Sequence, residues 1–123
     1  MRKINIGTKK YTHTMVMDEP GAGGANHKYE IHRNQTTEEC GKQGSLIGVI
    51  NFQNGPIKEA GVNGVMNEDL IAIVIDRMQG FQSGQYACRE NAVAITKLEE
   101  ALMWLRKRTQ DREDRGVEGT STI

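Results

Sequence analysis

The segment NAVAITKLEEALMWLRKRTQDR, residues 91 to 112, has the pattern that decides the fold. Seven positions recur in alternating four- and three-residue steps: Asn91, Ile95, Leu98, Leu102, Leu105, Thr109 and Arg112. These steps place the side chains on one side of an α-helix, as a heptad seam with an apolar middle and polar ends. The seam predicts a helix over about residues 86 to 115, roughly 45 Å long. We expect a homodimer through the helices, because a domain of this size cannot cover so long a seam alone.

A second helix is predicted just before it, in NEDLIAIVIDRMQG. We expect Asn67 to cap its start, since two acidic residues follow, and Gly80 to end it. Apolar residues lie on nearly every side of this segment, so the helix should be largely buried. The loop FQSGQYA joins the two helices. The sequence thus predicts a helical hairpin over residues 66–115, followed by a tail over 116–123.

Residues 1–62 have a different character and predict β-structure. KYEIHR, residues 28–33, alternates between two faces, as a half-buried strand does. SLIGVINFQNGPI is a second β-rich run that reaches a tight-turn signal at Asn54-Gly55, after which Pro56 interrupts strand pairing. The predicted fold class is α+β, with a small N-terminal antiparallel sheet and a C-terminal two-helix hairpin in a single domain of residues 1–123.

Composition limits the classes of function. The 123 residues are 37% hydrophobic and 26% charged, which is typical of a soluble globular domain. The sequence has no apolar run long enough to span a membrane and no apolar core of a signal peptide near its basic start, so we expect a cytoplasmic protein. The formal net charge is zero, which argues against nucleic-acid binding by bulk charge. An anion site must therefore be local.

Two glycine-containing segments resemble nucleotide loops only superficially. GAGGAN lacks both the preceding strand and the following helix of a dinucleotide-binding loop, and CGKQGS lacks the spacing of a phosphate-binding loop. We interpret both segments as ordinary loops.

The residues that could hold a metal or act as nucleophiles are poorly arranged for either role. His13, His27 and His32, even together with Cys40, match no known ligand spacing. We therefore expect no metal and no cofactor. Cys40 and Cys88 are expected to be free thiols. No serine or cysteine stands beside a histidine as an activated nucleophile would, so catalysis is not indicated.

Five residues remain as candidates for ligand binding. Phe81 follows the expected helix end, Asn91 occupies the first position of the seam, and Arg108, Arg112 and Arg115 lie along one side of the long helix. Arginine binds phosphate through two parallel hydrogen bonds, which lysine cannot do.

Structural explanations for the same residues stay open. Phe81 could be a core anchor that closes the hairpin. Asn91 could set the register of helix packing. The arginines could form a salt-bridged surface with the interleaved acids Asp111, Glu113 and Asp114.

The chain from Asn54 to Thr120 resembles the Thoeris anti-defence family of phage sponges. The resemblance is carried, in this order, by NGPIKEAGVNGV, ACRENAVAITKLEEALMWLRKRT and RGVEGT. The first 50 residues resemble the family only as a β-rich extension, so no function is transferred to them.

The resemblance implies a binding protein rather than an enzyme. Members of the family sequester the cyclic ADP-ribose isomers, with 1''-2' or 1''-3' glycocyclic linkage, that bacterial TIR-domain proteins make from NAD. The downstream effector is then not activated. Members form dimers, some of which assemble into hexamers as trimers of dimers, and some also bind cyclic di- or trinucleotides at separate sites. The implied location is the cytoplasm of the infected bacterial host, with neither a membrane nor a nucleic acid as partner.

The resemblance also assigns roles to residues. It places the adenine-contacting aromatic at Phe81, the amide at Asn91, and the phosphate-binding arginines at Arg108 and Arg115. We add Arg112 from helical spacing alone.

An antiparallel pair of hairpins would bring Asn91 of one chain near Arg108 and Arg115 of the other, which predicts two symmetric pockets. The competing functions are a regulatory nucleic-acid-binding protein with an arginine-rich helix end, and a nucleotide hydrolase.

Overall fold

The computed structural model describes residues 1–7, 10–34 and 45–123 of the chain. They form two compact units, Met1–Gly64 and Val65–Ile123, which correspond to the β-rich and helical parts distinguished in the sequence. The α+β class is confirmed; that the two parts form a single domain stays a prediction. Within the described ranges, no helix is long and apolar enough to cross a membrane.

The first unit contains a four-stranded antiparallel meander. Its strands are β1 (Arg2–Lys3), β2 (Thr12–Val16), β3 (Lys28–Arg33) and β4 (Leu46–Asn51), and they lie side by side in chain order. Strand β3 coincides with KYEIHR, so the alternation predicted this strand correctly. The small antiparallel sheet expected from the sequence is confirmed.

The core of this unit lies on one face of the sheet. Val16 is almost completely buried and stands opposite Tyr29 in the β2–β3 register. The Tyr29 ring meets Phe52 edge-to-face, with 5.6 Å between centroids, a favourable geometry for aromatic pairs.

The glycine-rich loop between β2 and β3 is tied at its base by Asp18. The carboxylate accepts hydrogen bonds from the backbone N–H groups of His27 and Lys28. Partial loss of solvent raises the pKa of Asp18, but these hydrogen bonds outweigh it and lower the pKa below its usual value.

The Asn54-Gly55 turn leads into a short helix, not into another strand. After Pro56 the chain forms α1 (Ile57–Ala60), because proline cannot donate to a sheet but suits a helix start. Two side-chain amides close the segment. Asn63 accepts from the Asn54 N–H and donates to the Asn54 carbonyl, while Gln53 donates to the carbonyls of Gly55 and Gly61.

The segment ends at a glycine that no other residue can replace without a shift. A Cβ at Gly64 would collide with the backbone of Phe52 and Asn51. The NGPIKEAGVNGV segment of the resemblance therefore has a structural role, which is to close this loop against the end of β4.

The second unit is the predicted helical hairpin. Its helices are α2 (Asn67–Gln82) and α3 (Arg89–Asp114), and they pack against each other. The start expected for α2 is wrong by one residue. Met66 is the capping residue, and its backbone N–H donates to the Asp69 carboxylate at 2.8 Å, so Asn67 is already helical.

The helix end expected at Gly80 is also wrong. α2 continues through Gly80 to Gln82, and the Ser83 N–H caps it by donating to the carbonyls of Gln79 and Gly80. A glycine inside a helix costs only about 1 kcal/mol, which packing can offset. The start of α3 moves from 86 to Arg89, since the Gln82 amide holds both the N–H and the carbonyl of Cys88 in the intervening loop.

The seam of α3 is its packing side. All seven seam residues are half-buried in the single chain, which confirms the periodicity. The expectation that α2 is largely buried is wrong, because Ile75 is the one buried residue of α2 and Ile73 is 63% exposed. A two-helix hairpin has only one internal face, so the other sides of α2 remain open.

The two helices differ in length. α2 has 16 residues and α3 has 26, or about 24 Å against about 39 Å at 1.5 Å per residue. α2 therefore cannot line the whole seam of α3.

Candidate functional site

The end of α3 is covered by the tail of the same chain. Gly116 adopts a positive φ of 73°, the left-handed conformation that terminates many helices. The Val117 N–H then bonds back to the Arg112 carbonyl at 3.0 Å. This turn directs the tail back along the last turns of the helix.

Arg112 holds the tail in place. Its Nη2 donates to the carbonyls of Val117 and Thr120, both at 3.0 Å, and the Thr120 hydroxyl donates to the Val117 carbonyl. Arg112 is the last residue of the seam and is half-buried. Arg112 thus organises the tail of its own chain, and the ligand contact predicted for it stays a prediction.

A surface depression of about 560 Å³ lies beside this tail. It is lined by Trp104, Lys107, Arg108, Asp111, Arg112, Arg115 and Ile123. Four cationic side chains and one carboxylate meet there, so the local charge is strongly positive in a chain whose net charge is zero. The structure brings the three predicted arginines together in this depression.

The acids near the arginines have other partners. Asp111 pairs with Lys107 at 3.2 Å, and Asp114 accepts from the Gln110 amide at 2.9 Å. Among the described residues, no ion pair joins Arg108, Arg112 or Arg115 to an acid. The salt-bridged surface considered from the sequence is therefore not formed by these arginines.

Arg108 and Arg115 nevertheless differ in their surroundings. Arg115 donates from Nη1 to the Ile123 carbonyl at 2.9 Å, so the tail occupies part of its guanidinium. Both side chains are exposed. An anion can reach Arg108 directly, whereas it competes with a backbone carbonyl at Arg115.

Three residues of the depression were not singled out from the sequence: Trp104, Lys107 and Ile123. Trp104 and Lys107 line it together with the arginines. A signal for Trp104 was available, because Trp104, Arg108, Asp111 and Arg115 follow steps of four, three and four. These steps give the helix a second row beside the seam.

Phe81 and Asn91 lie at the other end of the hairpin. Phe81 is in the last turn of α2, 41% exposed, with the Arg77 guanidinium 5.3 Å from its ring centroid. More than half of its surface is covered in one chain, so the ligand contact and the structural anchor both stay predictions. Asn91, in the first turn of α3, donates a long 3.5 Å hydrogen bond to the Tyr86 carbonyl.

The five predicted residues are therefore not all brought together in one chain. Asn91 and Arg108 are separated by 17 residues of α3, about 25 Å along its axis. A ligand of nucleotide size cannot contact both. The predicted set either spans two chains or divides into two separate places.

The histidines lie in the first unit and are used within it. The His13 and His32 rings stack with centroids 5.5 Å apart, and His32 bonds to Glu30 and Ser45. His27 contacts the Ala22 carbonyl. The residues described include no cluster of His, Cys, Asp and Glu suited to a metal ion. Cys40 and most of CGKQGS lie outside the described ranges.

The fold and site define the second unit as a helical-hairpin domain whose long helix ends at a cationic depression. Residues 47–110 match the family described as Acb2/Tad1, hairpin domain, which is more than half of the chain, and the chain belongs to this family. It is similar to "Thoeris anti-defense 1" of Bacillus phage SBSphiJ7, with 69% identity over 74 residues, 60% of this chain and 52% of that protein.

Two limits of these matches bear on the site. The chain spans about half the length of the curated relative that it matches. The family match includes Phe81, Asn91 and Arg108 but ends at residue 110, before Arg112 and Arg115. The family identified from the sequence is confirmed.

Proposed function

We propose that this protein counters Thoeris defence in the cytoplasm of the phage-infected bacterial cell. It binds cyclic ADP-ribose isomers with 1''-2' or 1''-3' glycocyclic linkage and sequesters them without cleaving them. The observation that carries the proposal is the group of arginines at the end of α3, which have no acidic partner in the described part of the chain. The chain is 69% identical over 74 residues to a protein named for Thoeris anti-defence.

The chemistry of the depression suits a pyrophosphate. Guanidinium groups bind phosphate oxygens through charge-assisted, often bidentate hydrogen bonds. Among the described residues, Arg108 has no acidic partner to displace, and Arg115 exchanges the backbone oxygen of Ile123. Sequestration requires this tight binding and no reacting group, in keeping with a protein that is not an enzyme.

The complete pocket in this proposal is built by two chains. Phe81 and Asn91 lie at one end of the hairpin, and Arg108 and Arg115 lie at the other. In an antiparallel pair of hairpins, each end of one chain lies beside the opposite end of the other, which gives two symmetric pockets. The apolar side chains of Ile73 and Met103, 63% and 68% exposed, favour such a partner because isolated chains rarely expose many large apolar residues. Assembly of dimers into a hexamer, with separate sites for cyclic di- or trinucleotides, is part of the same proposal.

One experiment tests the function. The purified protein is mixed with the product of a TIR-domain enzyme, separated from unbound ligand and denatured, and the released material is identified by mass spectrometry. We expect intact cyclic ligand in an amount that matches the number of sites. An altered nucleotide would instead identify a hydrolase.

The matched control is the double variant Arg108→Ala/Arg115→Ala, which should retain little ligand. If the unmodified protein retains none either, and binds long duplex DNA with a steep dependence on salt, the nucleic-acid-binding alternative replaces this proposal.

A further inference from the structure

An exposed aromatic residue stands inside the cationic depression. Trp104 is the one tryptophan of the sequence, and it is 70% exposed. It lies outside the seam, so packing of α3 against α2 does not account for it. Tryptophan is rarely left in water without a contact, because it has the largest apolar surface of any side chain.

Its position relative to the arginines is set by the helix. Trp104 is one turn before Arg108 and three turns before Arg115 on the same row of α3, and all three line the same depression. Side chains four residues apart on a helix are neighbours on its surface. An anion bound to Arg108 therefore places whatever is attached to it next to the indole ring.

We propose that Trp104 is a ligand-contacting residue in addition to Phe81. Its indole packs against one face of the adenine, which leaves the other face to Phe81 of a second chain, while the phosphates bind Arg108 and Arg115. This inference rests on the function proposed above. It gives the anion site an aromatic surface from its own chain, whereas Asn91 lies about 25 Å from Arg108 along α3 in that chain. Because aromatic rings stack on bases and guanidinium groups bind phosphates, the combination selects nucleotides over plain anions.

The single tryptophan provides a direct test. The protein is titrated with 1''-2' and 1''-3' glycocyclic ADP-ribose while tryptophan emission is recorded, and binding is measured in parallel by calorimetry. We expect saturable quenching with the same midpoint as the calorimetric isotherm, since a stacked purine changes the surroundings of the indole. Inorganic pyrophosphate should bind far more weakly and leave the emission nearly unchanged.

Substitutions separate contact from assembly. Trp104→Ala should weaken binding about 5- to 150-fold, the range that corresponds to about 1–3 kcal/mol for stacking one base. Trp104→Phe, which keeps an aromatic face, should recover most of the affinity. Arg106→Ala is the control, because Arg106 is also exposed on α3 but does not line the depression.

The inference and the proposed function fail in different ways. Calorimetric binding with silent emission and an unchanged Kd for Trp104→Ala would overturn the role of Trp104 alone. Loss of binding together with loss of assembly in sedimentation would make Trp104 an interface residue and also overturn it. No binding of either isomer by the unmodified protein would overturn both.

Discussion

At the scale of the residue, the arginines of α3 are distinguished by what they already contact. Arg112 donates to two tail carbonyls and Arg115 to one backbone oxygen. Arg108 lines the depression and has no acidic partner within residues 1–7, 10–34 and 45–123. Arginine thus has a structural role at position 112, whereas at position 108 its guanidinium is available to a ligand. The helical spacing alone treats these positions as equivalent.

The affinity for a cyclic ADP-ribose isomer should depend on Arg108 and Arg115 individually. Alanine at either position removes a charge-assisted contact of roughly 1.5–3 kcal/mol, about 10- to 150-fold in Kd by calorimetry. Lysine should restore little, because a point charge cannot bond two oxygens at once. The thermal stability should barely change, since both side chains are exposed.

Arg106 is the matched control for these variants. It lies on the opposite side of α3 by helical periodicity and does not line the depression, so Arg106→Ala should leave Kd unchanged. Equal Kd values for all three alanine variants would leave the helix end without a role in binding.

Phe81 provides a second prediction at this scale. Phe81→Ala should weaken ligand binding by about 5- to 150-fold, since a stacked base contributes about 1–3 kcal/mol. Its effect on folding should be smaller, because 41% of the residue is exposed in one chain. Calorimetry and thermal melting measured on the same sample distinguish the two effects; a large loss of Tm with unchanged Kd would identify Phe81 as a structural anchor.

At the scale of the element, α3 and the tail form one unit at the carboxyl end of the helix. Val117 to Thr120 are half-buried, and the side chains of Arg112 and Thr120 donate hydrogen bonds to the tail carbonyls. Here the tail covers a part of α3 that the shorter α2 does not reach. The guanidinium of Arg112, at the polar end of the seam, therefore has hydrogen-bond partners within its own chain.

Arg112→Ala should release this tail. We expect faster amide hydrogen exchange at Val117 and Thr120, because their carbonyls lose the guanidinium and the turn that contains them becomes easier to open. Exchange in the middle of α3 should be unaffected. Arg108→Ala is the control, since Arg108 contacts no tail carbonyl in the described structure, and unchanged exchange in Arg112→Ala would show that the glycine turn alone holds the tail.

At the scale of the whole molecule, the exposed apolar residues of the hairpin bear on assembly. We expect a sedimentation mass of at least twice the 13.7 kDa of one chain. Leu98→Asp should reduce it to that of one chain, because a buried carboxylate without a partner is costly in an apolar seam.

Leu98 is itself half-buried in the single hairpin, so circular dichroism must show that the variant keeps its helices. Ile73→Glu is a second variant for the same measurement. Because Ile73 is 63% exposed in one chain, this substitution should have little effect on the fold of a single chain. A folded monomer of Leu98→Asp that still binds ligand with unchanged affinity would contradict the two-chain pocket.

The sequence by itself determined the features that depend on local periodicity. Residues spaced by three and four predicted the seam of α3, and alternation over six residues predicted β3. Each pattern follows from the geometry of a single element, because helix side chains return to the same face every 3.6 residues and strand side chains every second residue. It also predicted that the arginines lie on one side of α3. The helix ends were less accurate, since the Asp69 cap and the Gln82 clamp depend on side-chain geometry that spacing does not encode.

Only the tertiary structure decided how the candidate residues are grouped. It placed Trp104 beside Arg108 and Arg115, turned the tail back onto Arg112, and separated Asn91 from the arginines by most of the length of α3. These relations depend on where a glycine turn sends the chain and on which carbonyls it brings within reach of a guanidinium. A side chain bonds only to groups that the fold brings within reach. For Arg112 and Arg115 these groups are backbone oxygens of the tail, and the turn after α3 sets their distance from the guanidinium groups.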